Sequence, residues 1–237
     1  MNIKSPILTS IESYIVFSMF VMVLIPSVIS SARADGTNPG VYSVDSRPYG
    51  MTMTDWSKKW WNYFVSTPQP GPNDVNSRGS CAPSNNSPNV WFLNGAGSGT
   101  FIRTCTIPTG MGIVFQPAGN ECSYAENPSL KTESELRACA VAGDKVLSIH
   151  VSVDGKSLQN LQSYIVQTAL FDLTLPEKNI FGAPPGPTKA VSHAYLIFLQ
   201  PLSPGNHKIH FDQVTLTDVE TGTNNFAYDV TYQLTIK

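Results

Sequence analysis

The last twelve residues constrain the fold most. Phe226, Tyr228, Val230, Tyr232, Leu234 and Ile236 alternate with Ala227, Asp229, Thr231, Gln233, Thr235 and Lys237. Successive side chains of a strand point to opposite faces, so a period of two held this long predicts a strand with one apolar and one wet face. Such a face is stable only beneath a second layer.

The rest of the chain supplies that layer. Leu147, Ile149, Val151 and Val153 share one face opposite Ser148, His150 and Ser152, and Asp154-Gly155 makes the turn that follows. Ile209 and Phe211, continuing to Val214 and Leu216, follow the turn-forming run Ser203-Pro204-Gly205-Asn206. Segments 90–93, 101–107, 113–116, 163–173 and 194–199 are further strand candidates, rich in β-branched and aromatic residues. With 18 Pro, 17 Gly and only 14% charged residues, this is a pattern of many turns between short apolar runs. It predicts an all-β fold, a two-sheet antiparallel sandwich of the jelly-roll or Ig-like kind with two short peripheral helices.

The first helix is expected from about Asp55 to Val65, with Thr54 as N-cap and Ser66-Thr67-Pro68 as its end. Trp56, Trp60, Tyr63 and Phe64 fall at i, i+4, i+7 and i+8, one helical stripe, which places Trp61 off its centre and predicts partial exposure there. The second helix opens on Thr132-Glu133-Ser134-Glu135, a capping box in which threonine and glutamate satisfy each other's end amides. Leu136, Cys139 and Ala140 form its inner face.

The N-terminus reads as an export signal. Lys4 precedes an apolar run from Tyr14 to Ile25, and Ala32-Arg33-Ala34 offers a cleavage site, so residues 1–34 are expected to be removed and 35–237 to form a single secreted domain. The alternative is a retained anchor, although Pro26 leaves the run short of the length of a span. All four cysteines lie beyond the signal, consistent with an oxidising, extracytoplasmic location. We expect the sequence-neighbour disulfides Cys81–Cys105 and Cys122–Cys139, chosen among three connectivities.

Of 15 basic and 17 acidic residues, the signal takes Lys4, Arg33 and Glu12, leaving a charge of −3 and no basic cluster. Nucleic-acid binding is therefore not expected, nor membrane association after cleavage. No cysteine knuckle or H-x-H or H-E-x-x-H pattern occurs among Cys81, Cys105, Cys122, Cys139, His150, His193, His207 and His210, so no metal and no cofactor is expected. Gly95-Ala96-Gly97-Ser98-Gly99 lacks the Lys-Ser/Thr of a phosphate loop and the glycine two residues before Ser98 that a nucleophile elbow requires, and reads as a flexible loop.

Glu121, in Gly119-Asn120-Glu121-Cys122-Ser123, stands beside an expected disulfide, where its carboxyl would be held in fixed geometry. Glu126, Arg103 and Asp229 are its candidate companions. Two function classes follow. In the first, a non-catalytic extracellular module binds a glycan or other envelope component through exposed aromatics, with Trp61, Trp91, Arg103, Glu121 and Tyr195 as binding residues. In the second, an extracytoplasmic hydrolase uses Glu121 as general acid or base with His150 and Asp229 nearby. The first is preferred, because no complete nucleophile, acid/base or metal set can be written down.

The run Tyr49-Gly50-x-Thr52-x-x-x-Trp56-Ser57-x-x-Trp60-Trp61, with Val90-Trp91-Phe92-Leu93, Arg103-x-Cys105-x-Ile107-Pro108-x-Gly110, Asn120-Glu121-Cys122-Ser123, Glu135-Leu136-Arg137 and Asp229-Val230-Thr231-Tyr232, resembles a family of exported proteins without an assigned activity. The resemblance implies a signal-bearing secreted protein with one β-rich domain, and it carries no catalytic residue. Residues 201–211 are similar to a hairpin of extracellular Ig-like and carbohydrate-binding sandwiches.

Overall fold

The computed structural model describes residues 36–237 apart from 68, 72–73, 82–86, 144 and 217–224, so the expected export signal lies outside the described residues. In chain order the elements are α1 (Met53–Ser66), β1 (Gly79–Ser80), β2 (Val90–Phe92), β3 (Gly99–Ile107), β4 (Gly112–Ser123), α2 (Glu133–Gly143), β5 (Val146–Val153), β6 (Lys156–Ser157), β7 (Ile165–Gln167), β8 (Phe171–Leu175), β9 (Gly186–Leu199), β10 (Gly205–Leu216) and β11 (Asn225–Ile236). One sheet has six strands in the order β1-β3-β11-β10-β5-β6. The other has five, β2-β4-β9-β7 with β8 also on β9.

The fold is mostly β and sandwich-like, but the expectation of purely antiparallel sheets is corrected. β3 runs parallel to β11 and to β1, and β2 runs parallel to β4. The cause is the path of the chain between the layers. β2 and β4 share a sheet while β3 lies in the opposite one, so two successive crossings restore the original direction. The segment 205–216 is one continuous strand, whereas 163–173 breaks into β7 and the start of β8. At the β5–β6 turn Asp154 and Gly155 take φ of 51° and 77°, the left-handed pair that a two-residue hairpin needs.

Between the sheets the alternation of β11 does what its sequence demands. Tyr228, Val230, Tyr232, Leu234 and Ile236 enter the core with Phe101, Ile107, Ile113, Phe115, Ile209 and Phe211. Phe115 stacks on Phe211 with ring centroids 5.2 Å apart.

The helices are not both peripheral. α1 covers the outer face of the five-stranded sheet and builds a second core there, where Trp56, Trp60, Tyr63 and Val65 meet Phe92, Val114, Leu196 and Phe198. Its N-cap is Thr52 rather than Thr54. The Thr52 hydroxyl accepts from the Asp55 amide at 3.1 Å and donates to the Asp55 carboxylate at 2.6 Å, which holds that carboxyl below its ordinary pKa. A threonine with an acid three residues on satisfies an orphan amide, and Thr54 has no acid so spaced.

At the start of α2 the capping box forms as expected, Glu135 N donating to Thr132 Oγ1 at 3.2 Å and Thr132 N to Glu135 Oε2 at 2.8 Å. Leu136 and Ala140 pack on Cys122 and Val191. Both expected disulfides are present, Cys81–Cys105 and Cys122–Cys139. Among the described residues no helix is long and apolar enough to cross a membrane.

Candidate functional site

A cavity of about 320 Å³ opens where the second half of α1, β4, the start of β11 and three loops meet. From α1 come Trp60, Trp61 and Phe64. Trp60 lies flat on Phe64 at 4.8 Å, the i,i+4 neighbour on its own helix, while Trp61 stands edge-on to Trp60 at 5.2 Å and to Phe64 at 5.7 Å. Phe181, Phe226 and Tyr228 also line it, so the wall is rich in aromatic side chains.

The shape of β4 makes room for it. Between Phe115 and Ala118 two residues, Gln116 and Pro117, oppose the single Leu196 of β9, which is a β-bulge. Pro117 has no N–H to lose from the ladder, and its carbonyl accepts from the Tyr228 hydroxyl at 2.6 Å, tying the bulge to β11. Beyond the bulge Gly119 lies so close to β9 that a Cβ there would sit 2.2 Å from that of Ala194. Only glycine lets the strand pass at this distance.

Register fixes the next residue. Glu121 pairs with Ser192 of β9, and Ser192 faces α1, its hydroxyl 3.4 Å from that of Ser57. Glu121 therefore projects to the α1 side, and it lines the cavity although its exposure is only 4%. No backbone amide or basic side chain serves its carboxyl oxygens, whose polar neighbours are the Glu126 carboxyl and the Ser123 hydroxyl. Burial pushes its pKa well above the ordinary value, and the Glu126 carboxyl beside it pushes the same way. Glu126 is itself anchored by the Ser123 hydroxyl, which donates to it at 2.6 Å. Gln116 donates from Nε2 to Ser57 at 3.0 Å, yet its Oε1 is unpaired. The indole N–H of Trp61, another wall residue, is unpaired as well.

Such groups are rare in proteins. A buried polar atom without a partner costs about 1–3 kcal/mol, so nearly all find one. Here two atoms of one cavity wall, Gln116 Oε1 and Trp61 Nε1, have none, and the Glu121 carboxyl beside them has only the Glu126 carboxyl and the Ser123 hydroxyl. Larger hollows elsewhere differ in this respect. That of about 420 Å³ beside Asn38 and Asp154 has its polar groups engaged, with Asn38 Nδ2 donating to Gln159 O and Tyr164 Oη, and Asp154 accepting from Lys208 N and bonding His207.

The loops on the far rim are held by Arg103, which is 3% exposed. Its guanidinium donates to the carbonyls of Ser77 (3.1 Å), Asn94 (3.2 Å), Gly95 (2.9 Å), Val75 (3.1 Å) and Asp74 (3.4 Å), and to the Tyr232 hydroxyl at 2.6 Å. Val75 and Gly95 line the cavity. Arg103 thus shapes the site from behind rather than facing a ligand, a role the sequence reading did not give it.

The other expected site residues scatter. Trp61 is in the cavity wall, but at 6% exposure it is not the partly exposed residue expected. Trp91 and Tyr195 are buried in the sandwich core, so neither can serve as a surface platform. Trp91 is also unpaired at Nε1, but it does not line the cavity. His150 and Asp229 stand on the outer face of the six-stranded sheet, His150 3.5 Å from Asp212 and Asp229 3.2 Å from His210, and they do not converge with Glu121. Among the described residues no group of three metal-ligating side chains occurs. Gln116, Phe64, Phe181, Phe226 and Tyr228 were missed. Gln116 had a signal, being a polar residue followed by proline at the end of the apolar run Ile113-Val114-Phe115.

No protein-family model and no curated protein matches the chain. Among solved structures the chain is similar to one described as PbICP-C in complex with falcipain-2, at 12% identity over 63% of this chain and 99% of that one, with a TM-score of 0.25. It is also similar to the solution structure of Amebosin, at 10% identity over 59% and 98% of the two chains, with a TM-score of 0.17. At these TM-scores neither likeness carries an argument.

Proposed function

We propose that the chain is an exported, non-catalytic binding module whose ligand occupies the aromatic cavity between α1 and β4. The observation that carries this is the coincidence, in one cavity wall, of six aromatic side chains with the buried Glu121 carboxyl and the unpaired Gln116 Oε1 and Trp61 Nε1. A ligand pocket is mostly apolar with a few convergent polar groups, and its volume runs from about 300 to 1,000 Å³, a range this cavity enters at the small end. A bound molecule with matching polar groups supplies the partners the chain withholds. Two disulfides support an oxidising, extracytoplasmic setting.

A small ligand is favoured over a long glycan gripped at the surface, because Trp61, Trp91 and Tyr195 are all buried. A single sugar unit of an envelope glycan remains among the ligands to test. The hydrolase reading has one observation in its favour, the Glu121 carboxyl, whose pKa is raised by burial first and by the adjacent Glu126 carboxyl second.

A ligand-observed NMR screen of small ring-bearing molecules and monosaccharides, read together with quenching of tryptophan fluorescence, tests both. Binding that quenches the tryptophans without turnover is expected. No hit from a broad set removes the binding module, and product released from a glycoside by the wild type but not by Glu121→Gln replaces it with the hydrolase.

A further inference from the structure

Resting on the binding reading above, we propose that the ligand carries a primary ammonium group, received by the Glu121 carboxylate inside the aromatic cage. The first argument is a count of unmet hydrogen-bonding needs. Gln116 Oε1 is an unpaired acceptor and Trp61 Nε1 an unpaired donor, and once a bound cation displaces the proton that burial favours on Glu121, both oxygens of that carboxylate are acceptors as well. The matching group is donor-rich, and an ammonium presents three N–H bonds from one atom.

Charge is the second argument. None of the cavity-lining residues is Lys, Arg or His, and the one buried guanidinium nearby, that of Arg103, spends its donors on carbonyls and Tyr232. Glu121 and Glu126 stand together without a basic partner of their own. An anionic ligand would meet the Glu121 carboxyl and no cation in the wall, whereas a cation supplies the counter-charge that Glu121 lacks when it ionises.

Ring geometry is the third. A cation over a tryptophan, tyrosine or phenylalanine face is attracted by the negative centre of the ring, more strongly when desolvated. Here Trp60, Trp61, Phe64 and Phe181 line the same cavity as the buried Glu121 carboxyl. Aromatic cages closed by an acid select cations, and the remaining ring area accommodates an apolar body on the same molecule.

The test uses the full chain at neutral pH and three probes of one shape: benzylamine, benzyl alcohol and benzoate. Affinities are measured by NMR titration for the wild type, Glu121→Gln and Trp61→Ala. Benzylamine is expected to bind at least tenfold more tightly than benzyl alcohol, and benzoate more weakly than either. Glu121→Gln should bring the amine and the alcohol within about twofold by weakening the amine at least fivefold, and Trp61→Ala should weaken both. Equal affinity of the amine and the alcohol for the wild type overturns the ammonium and leaves the cavity as a site for neutral ligands. Amine binding that survives Glu121→Gln unchanged places the cation elsewhere and also overturns it. No binding of any probe, together with a blank fragment screen, removes the binding module and this inference with it.

Discussion

Arg103 and Glu121 are buried almost equally, at 3% and 4% exposure, on opposite sides of one cavity. The guanidinium is fully occupied, with six hydrogen-bond acceptors around it. The carboxyl has only the Glu126 carboxyl and the Ser123 hydroxyl beside it. Burial of an ionisable group therefore says little by itself about its work, and what separates structure from function is whether the chain has satisfied it. The Arg103 side is closed and rigid, a hub that fixes loops 74–77 and 94–95. The Glu121 side is left open, and the fold withholds from it what a ligand can provide.

The largest effect expected from breaking this contrast is at the hub. Arg103→Met keeps the length and apolar stem of the side chain but removes six hydrogen bonds; the carbonyls of Asp74, Val75 and Asn94 keep donors in Ser77 N, Gly97 N and the Tyr232 hydroxyl, while those of Ser77 and Gly95 lose the guanidinium, so the loss should be on the order of 3–5 kcal/mol. Urea titration of wild type and variant measures it. A loss below about 1 kcal/mol would mean that the rim loops are held by something other than this guanidinium.

Neighbouring tryptophans on α1 sharpen the comparison at the next level. Trp60 donates from Nε1 to Leu93 O at 2.8 Å and lies against Phe64, whereas Trp61 makes no hydrogen bond and borders empty space. Trp60→Ala should cost about 3–5 kcal/mol, the range for a packed aromatic, and Trp61→Ala about 2 kcal/mol less, since it enlarges a cavity that already exists. Equal denaturation midpoints would show that Trp61 is packed as a core residue and that the cavity does not weaken its hold.

Much of this fold could be read from the sequence wherever a local pattern carried the physics. The alternation of β11, the Thr132–Glu135 capping box and both disulfide pairings appear as expected, because strand period, cap chemistry and neighbour spacing are all local. The parallel pairs β2–β4 and β3–β11 were not legible, since strand direction depends on which layer each connection enters. Glu121 stood out as a carboxyl beside a disulfide. Its cavity did not, because the wall is assembled from residues as far apart as Trp60 and Tyr228, and no window of sequence contains them. The same limit misplaced Trp61: helical spacing gives the centre of a buried stripe but not its width, and here α1 is covered on more than one side. Alternation put His150 on a wet face, and its side chain is indeed 65% exposed there, but nothing local could show that its neighbour is Asp212 rather than Glu121.

The smallest expected effect has the opposite sign, and it tests whether Glu121 is unsatisfied in the way described. Its folded-state pKa lies well above the ordinary 4.5, first through burial and then through Glu126. A carboxyl whose pKa is raised on folding binds more protons in the native state than in the unfolded one, so its contribution to stability is complete below about 4.5 and is lost as pH rises from there to the folded value. Above that window the wild type bears the whole penalty. Glu121→Gln keeps the shape, cannot ionise, and can donate an amide hydrogen towards Glu126, so it should be more stable than wild type at neutral pH by about 1–2 kcal/mol, or roughly 2–8 °C in Tm. That gain should shrink towards zero near pH 4, where wild-type Glu121 is protonated in both states. A stabilisation that is the same at both pH values would attribute the effect to packing, and a loss of stability at neutral pH would mean that the carboxylate already has a partner within the fold.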